Sequence, residues 1–234
     1  FNRRMPEEIN RVLTDHAADL LFAPTKTAVK NLRDEGLPTD RIECPGDVMY
    51  DAALFYKACA RRPGWFDEYG LSTGQFVLAT VHRAENTDDP QRLGGIFDGL
   101  AQSGLAVVLP LHPRTRARLD AAEINPSGNI RIVPPVGYLE MVWLEANCTV
   151  IATDSGGVQK EAYFHGKPCI TLRDETEWIE LVETGWNTLV GADTTLIASA
   201  LPDLSAPDTS EALYGDGDAA AKIVETIVAS AGVR

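Results

Sequence analysis

The chain has 234 residues, 34 acidic side chains against 21 basic ones for a net charge of −13, and 44% hydrophobic residues. These are globular proportions at a length that buries a sizeable core, and no run approaches the roughly 18 apolar residues of a membrane-spanning helix. The acidic balance excludes a long electrostatic contact with nucleic acid or an anionic membrane surface, yet leaves room for local basic sites that hold a small anion.

Pro6-Glu7-Glu8 starts a helix over residues 6–18, with proline at the first helical position and acids at the positive end of the dipole. A short buried strand at 19–23, a helix at 25–35 ended by Gly36 and Pro38, a strand at 41–44 and a helix at 48–60 follow. Arg61-Arg62-Pro63-Gly64 then punctuates the chain. Beyond it, strands at 75–81, 105–111, 129–133, 149–153 and 168–172 alternate with helices at 90–102, 115–122, 138–146 and 157–165. Segments such as VVLPL and TVIAT are continuous apolar runs, as a parallel sheet covered by helices on both faces requires, so residues 72–205 read as a doubly wound α/β domain. A last helix at 218–230 follows the turn Tyr214-Gly215-Asp216-Gly217. No secretory hydrophobic stretch is found near Phe1. Cys44, Cys59, Cys148 and Cys169 lack metal-ligand spacing, so reduced, mostly buried thiols and a cytoplasmic location are expected.

In such a sheet, ligands sit beyond the carboxyl ends of the strands, and those ends carry most of the chemistry. Thr153-Asp154-Ser155-Gly156-Gly157 passes from a strand through two glycines into a helix. Side-chain-free backbone there lets phosphate oxygens reach N–H groups, Ser155 adds a hydroxyl, and the helix dipole favours the negative charge; an ordinary capped turn would give the same pattern. Glu161, further along that helix, has the reach for a ribose diol. His82-Arg83-Ala84-Glu85-Asn86 and His112-Pro113-Arg114 supply basic and polar groups at two neighbouring strand ends. His16 and His165 read as helix-surface residues, Trp143, Trp178 and Trp186 as packing, and Asp174-Glu175-Glu177 as a solvated loop. The Glu7-Glu8 pair, taken by itself, reads as first-turn acids that stabilise a helix.

Five motifs in order, P-E-E-I-N-R at 6–11, H-R-x-E-N at 82–86, D-S-G-G-V-Q-x-E at 154–161, G-K-P at 166–168 and Y-G-D-G at 214–217, resemble the non-hydrolysing UDP-N-acetylglucosamine 2-epimerases over nearly the whole chain. The resemblance implies a glycosyltransferase-B-like α/β fold: two Rossmann-like doubly wound domains, the first only partly present, with the nucleotide sugar between them. Residues 1–62 would be the C-terminal part of the first domain, 63–71 a linker, 72–205 the UDP-binding domain, and 206–234 a turn and helix that pack back toward the first domain. The implied reaction inverts C2 by eliminating UDP to give 2-acetamidoglucal and adding it back, with Glu7 as a catalytic carboxylate and His82 assisting the diphosphate. Ser155, Gly156 and Gly157 would hold phosphates and Glu161 the ribose, with Arg83, Glu85, Asn86, His112 and Val136 as further UDP contacts. No metal or nicotinamide cofactor is implied, because hydrogen moves as a proton. The implied partners are UDP and its sugar, not nucleic acid or membrane, and a second subunit in a homodimer. One departure stands out: Trp178 occupies a place where many bacterial members have arginine. Relatives acting on UDP-2,3-diacetamido-glucuronic acid share much of the pattern, and a glycosyltransferase of the same architecture is a further alternative.

Overall fold

The computed structural model describes residues 6–126, 128–208 and 211–232; the Glu7 side chain lies outside the described part. The chain divides into two compact units, Phe1–Ala52 with Ser210–Arg234, and Ala53–Thr209.

In the smaller unit, α1 (Pro6–Ala17), β1 (Leu21–Phe22), α2 (Lys26–Asp34) and β2 (Ile42–Glu43) follow the expected order, and the strands pair in parallel with Leu21 opposite Ile42. Thr25 caps α2 by accepting from the Ala28 N–H at 3.1 Å, and Leu21, Ala23, Leu32, Leu37 and Ile42 make a small core. The C-terminal helix, later numbered α11 (Ala219–Ala231), is tied into this unit by side-chain capping. Asp51 accepts from the Ala219 and Ala220 N–H groups at 3.1 and 2.7 Å. Beside it Gly46 and Gly215, both at positive φ, let two backbone turns meet. A Cβ on Gly46 would stand 2.8 Å from the Tyr214 carbonyl oxygen.

The division falls inside α3 (Val48–Lys57), ahead of the turn at Arg61–Gly64 expected to separate the domains. The cause is visible in the contacts of residues 53–71, which already belong to the larger unit. Tyr56 stacks edge-on against Tyr138, the Arg61 N–H donates to the Leu139 carbonyl at 2.9 Å, and Arg62 lies 5.0 Å over the Phe66 ring. Phe66 is itself fully buried against Phe76 and Trp143, so the segment 63–71, expected as a linker, is anchored in the core of the larger unit through Phe66 and Leu71.

The larger unit holds six parallel strands: β3 (Val77–Thr80), β4 (Val107–Pro110), β5 (Ile130–Val133), β6 (Val150–Thr153), β7 (Cys169–Thr171) and β8 (Asn187–Leu189), in the order β5-β4-β3-β6-β7-β8. Successive residues of β3 serve opposite faces. Val77 and Ala79 join the cluster under α5 (Pro90–Gln102), α6 (Pro113–Ala121) and α10 (Thr194–Asp203). Leu78 joins Phe66, Leu144 and Ala162 under α7 (Tyr138–Asn147) and α8 (Gly156–Phe164). Helices α4 (Ala84–Thr87), α9 (Ile179–Glu183) and α10, and strand β8, go beyond the sequence expectation. Two of the four cysteines, Cys44 and Cys59, are exposed; the buried Cys148 thiol is pushed up to about 12 by desolvation.

Helices α5 and α10 approach closely because Gly95 and Gly99 lie one turn apart. A Cβ at Gly99 would fall 2.7 Å from the Ile197 Cβ, whereas Gly94 has nothing nearer than 3.9 Å. Gly99→Val should therefore lower unfolding free energy by roughly 3 kcal/mol, and Gly94→Ala should leave it unchanged or raise it by about 0.5–1 kcal/mol. Urea midpoints of the two variants check the contrast.

Candidate active site

Strand order reverses between β3 and β6, and the two strand ends at this switch point are built as one piece. Thr80 and Thr153 are opposite each other in register and their hydroxyls meet at 2.5 Å. One residue on, Asp154 is completely buried, and its carboxylate accepts from the His82 N–H at 3.1 Å, the Arg83 N–H at 3.0 Å and the Asn86 amide at 3.1 Å. A buried carboxylate is tolerated because these donors replace its water. The consequence is a fixed exit for the chain after β3, with the His82 ring at the surface and its Nδ1 3.5 Å from Asp154.

Across the switch point, Ser155 is the N-cap of α8, accepting from the Val158 N–H at 3.5 Å, and Gly156 and Gly157 form the helix's first two positions. Orphan N–H groups and the helix dipole make this end attractive to anions. The protein's own Glu177 answers that attraction: a Cβ on Gly156 would stand 2.5 Å from Glu177 Oε1, and Arg173 donates to Glu177 at 2.7 Å, with Arg83 at 3.9 Å. Burial opposes ionisation of Glu177, but a backbone hydrogen bond and the two guanidinium groups hold it below the usual carboxylate range. Asp174 pairs with Arg92 at 3.0 Å while staying exposed, so two of the three acids of this solvated loop also hold an arginine. Trp178 does more than pack. Its indole N–H donates to the Gly156 carbonyl at 2.8 Å, and the Lys160 ammonium lies 4.4 Å over its ring.

Next to His82 opens a cleft of about 420 Å³, lined by Thr80, Val81, His82, Pro110, His112, Arg114, Pro135, Val136, Met141 and Val158. It has a basic rim and an apolar wall, the composition that holds a flat base beside a charged group. His112, the N-cap of α6, accepts from the Arg114 N–H at 3.2 Å.

The sequence-predicted residues thus fall into distinct places. His82, His112 and Val136 line the cleft, and Ser155, Gly156 and Gly157 form the adjoining helix start. Arg83 faces Glu177, and Glu85 is exposed, 3.7 Å from Arg92. Asn86, expected as a UDP contact, is fully buried, donating to Asp154 and to the Leu172 carbonyl and accepting from Arg92, so both its amide hydrogens are spent within the protein. His165 is likewise buried rather than on a helix surface. Glu161 lies part-buried on α8. Of the catalytic candidate Glu7, only its helix position in the first turn of α1 belongs to the described part. Asp154, Met141 and Val158 were missed by the sequence reading; an acid directly after an apolar strand was the available signal for the first.

A family profile described as UDP-N-acetylglucosamine 2-epimerase matches residues 1–228. The chain belongs to the UDP-N-acetylglucosamine 2-epimerase family. Within that family it is 48% identical over 233 residues to a UDP-2,3-diacetamido-2,3-dideoxy-D-glucuronate 2-epimerase of Pseudomonas aeruginosa, covering 96% of this chain and 64% of that protein. It is 45% identical over 234 residues to a UDP-N-acetylglucosamine 2-epimerase homolog of Methanococcus maripaludis, covering 97% and 65%. The chain therefore spans about two thirds of the length of these relatives. A crystal structure of the Methanocaldococcus jannaschii UDP-GlcNAc 2-epimerase in complex with UDP-GlcNAc and UDP superimposes with a TM-score of 0.83 at 38% identity, covering 97% of this chain and 66% of that one. The 2-epimerase family fold is the glycosyltransferase-B-like α/β class expected from the motifs.

Proposed function

We propose that the protein is a nucleotide-sugar 2-epimerase that interconverts UDP-GlcNAc and UDP-ManNAc. The observation that carries this reading is the switch point itself, where Asp154 fixes His82 and Arg83 beside the glycine start of α8. In this reading the diphosphate takes the place over Gly156 that Glu177 now fills, and the uracil lies along Val136, Met141 and Val158. Proton removal from C2 with departure of UDP from C1 gives 2-acetamidoglucal and free UDP. Return of UDP to C1 with protonation of C2 on the other face completes the inversion. The charge that develops on the leaving diphosphate is met by preorganised N–H groups, Arg83 and His82, the kind of stabilisation that lowers such barriers most. Glu7 is proposed as a carboxylate that moves the C2 proton, and Glu161 as the acceptor of both ribose hydroxyls.

A second substrate has a specific observation in its favour: the 48% identical Pseudomonas relative is a 2-epimerase of UDP-2,3-diacetamido-2,3-dideoxy-D-glucuronate. Deuterium exchange at C2, compared between UDP-GlcNAc and UDP-2,3-diacetamido-glucuronic acid, separates the two readings. The diphosphate position has its own test. Gly157→Val should weaken UDP binding by about 1.5–3 kcal/mol, the worth of a charge-assisted contact; an unchanged Kd in calorimetric titration would move the diphosphate away from α8.

A further inference from the structure

At the start of α8 the protein supplies an anion of its own. The Glu177 carboxylate lies against Gly156, where an added Cβ would stand 2.5 Å from its Oε1; it accepts from Arg173 Nη1 at 2.7 Å and has Arg83 Nη2 3.9 Å away. Arg173, two residues beyond β7, has a side chain only 8% exposed, and its Nε has no hydrogen-bond partner. A guanidinium buried to this degree is costly unless an anion stays beside it, and one carboxylate oxygen uses only part of its donor fork. Glu177 itself is 45% exposed, whereas the residues on either side of it are fastened to α8. The Thr176 hydroxyl donates to Gln159 Oε1 at 2.7 Å and the Trp178 indole to the Gly156 carbonyl at 2.8 Å. The loop can therefore keep its place while the Glu177 side chain turns into water.

We propose that Glu177 is an internal stand-in for the diphosphate: its carboxylate holds the Arg173 guanidinium when no nucleotide is bound, and the entering diphosphate displaces it and takes Arg173 as a ligand. The inference rests on the diphosphate position given above. The exchange keeps an anion beside Arg173 in both states, so this buried charge is never left unpaired. It also keeps a negative group at the orphan N–H groups of the helix start throughout. A diphosphate offers more oxygens than the carboxylate, enough to use the Nε donor together with Nη1 in the paired fashion that suits a guanidinium. The exchange weakens affinity, because UDP binds only the fraction of molecules whose Glu177 has turned away, and its Kd rises in inverse proportion to that fraction. A ligand without phosphates meets no such competition.

The test compares Kd for UDP with Kd for uridine, which carries no phosphate, by calorimetry on the intact protein. Glu177→Gln keeps an acceptor for Arg173 but removes the competing charge. It should tighten UDP by about three- to tenfold, the worth of one charge-assisted hydrogen bond reduced for the exposure of Glu177, and leave uridine within about twofold. Glu177→Asp, whose carboxylate is drawn back by one methylene, should fall between wild type and Glu177→Gln. The double variant Arg173→Gln/Glu177→Gln, with neutral amides in both places, should fold and bind UDP about tenfold more weakly than Glu177→Gln alone, by loss of one charge-assisted contact. UDP affinity unchanged or weakened in Glu177→Gln would overturn the proposal, as would equal tightening of uridine or a double variant that binds UDP as tightly as the single one. Gly157→Val distinguishes the two levels. If it and Glu177→Gln both leave UDP affinity at the wild-type value, the diphosphate position fails and the inference with it. Weakened UDP binding in Gly157→Val beside an unchanged Glu177→Gln overturns the inference alone.

Discussion

Asp154→Ala is expected to lower the unfolding free energy by about 4 kcal/mol and to remove measurable UDP binding. The substitution takes one carboxylate from three donors, the His82 and Arg83 N–H groups and the Asn86 amide, at a position with no solvent access. Each donor left unsatisfied in such surroundings costs about 1–3 kcal/mol, and water cannot enter to replace the carboxylate without opening the strand ends. Asp154→Asn keeps the shape and one acceptor oxygen but turns an N–H toward other N–H groups, so a loss of about 2 kcal/mol is expected from it. Urea unfolding read by fluorescence gives both values, and UDP titration at a temperature where each variant is folded separates loss of fold from loss of site. An Asp154→Ala protein with the wild-type midpoint would mean that the exit from β3 is held by other contacts.

The second large effect is chemical. Glu7→Gln in the intact protein should slow exchange of the C2 hydrogen by about 10²- to 10⁴-fold, the usual contribution of a positioned acid or base, while UDP affinity stays within about threefold. The amide matches the carboxylate in size but neither takes nor returns a proton. Glu7 is also in the first turn of α1, where an acid stabilises the helix by about 0.3–1 kcal/mol, so a small drop in stability should accompany the kinetic loss. Deuterium incorporation followed over time, beside calorimetry with UDP, reads both quantities. Unchanged exchange with lowered stability would leave Glu7 as a helix-start residue and nothing more.

How far such features can be read in advance depends on the range of the interactions that make them. Strand β3 was legible because both sheet faces are covered by helices, and the start of α8 because a serine cap and two glycines are local chemistry. Strand β8 was not: it is three residues long, Asn187–Leu189, and a polar Asn and Thr stand where the apolar run would be. Helix α10 announced itself only by Asp193, whose carboxylate accepts from the Leu196 N–H at 2.9 Å. The role of Asp154 comes from partners 68 to 72 residues earlier in the chain, which no local pattern reveals. Asn86 shows the reverse case, a polar residue in a motif taken as a ligand contact whose amide hydrogens are spent on the frame beneath the site. Trp178 was read as packing, and only its bond to the Gly156 carbonyl and the Lys160 ammonium above it place it at the phosphate end of α8.

The most direct test of the epimerase reading is proton NMR of the intact protein with UDP-GlcNAc in D₂O, following the C2 proton and the anomeric signals together. Loss of the C2 signal by exchange, with a second anomeric resonance from UDP-ManNAc growing at a matching rate, is the result expected of elimination and re-addition of UDP. A C2 proton that persists while UDP binds normally would contradict it, and transfer of the diacetamido-uronate substrate into the same assay would then decide whether the chemistry or only the sugar was misassigned.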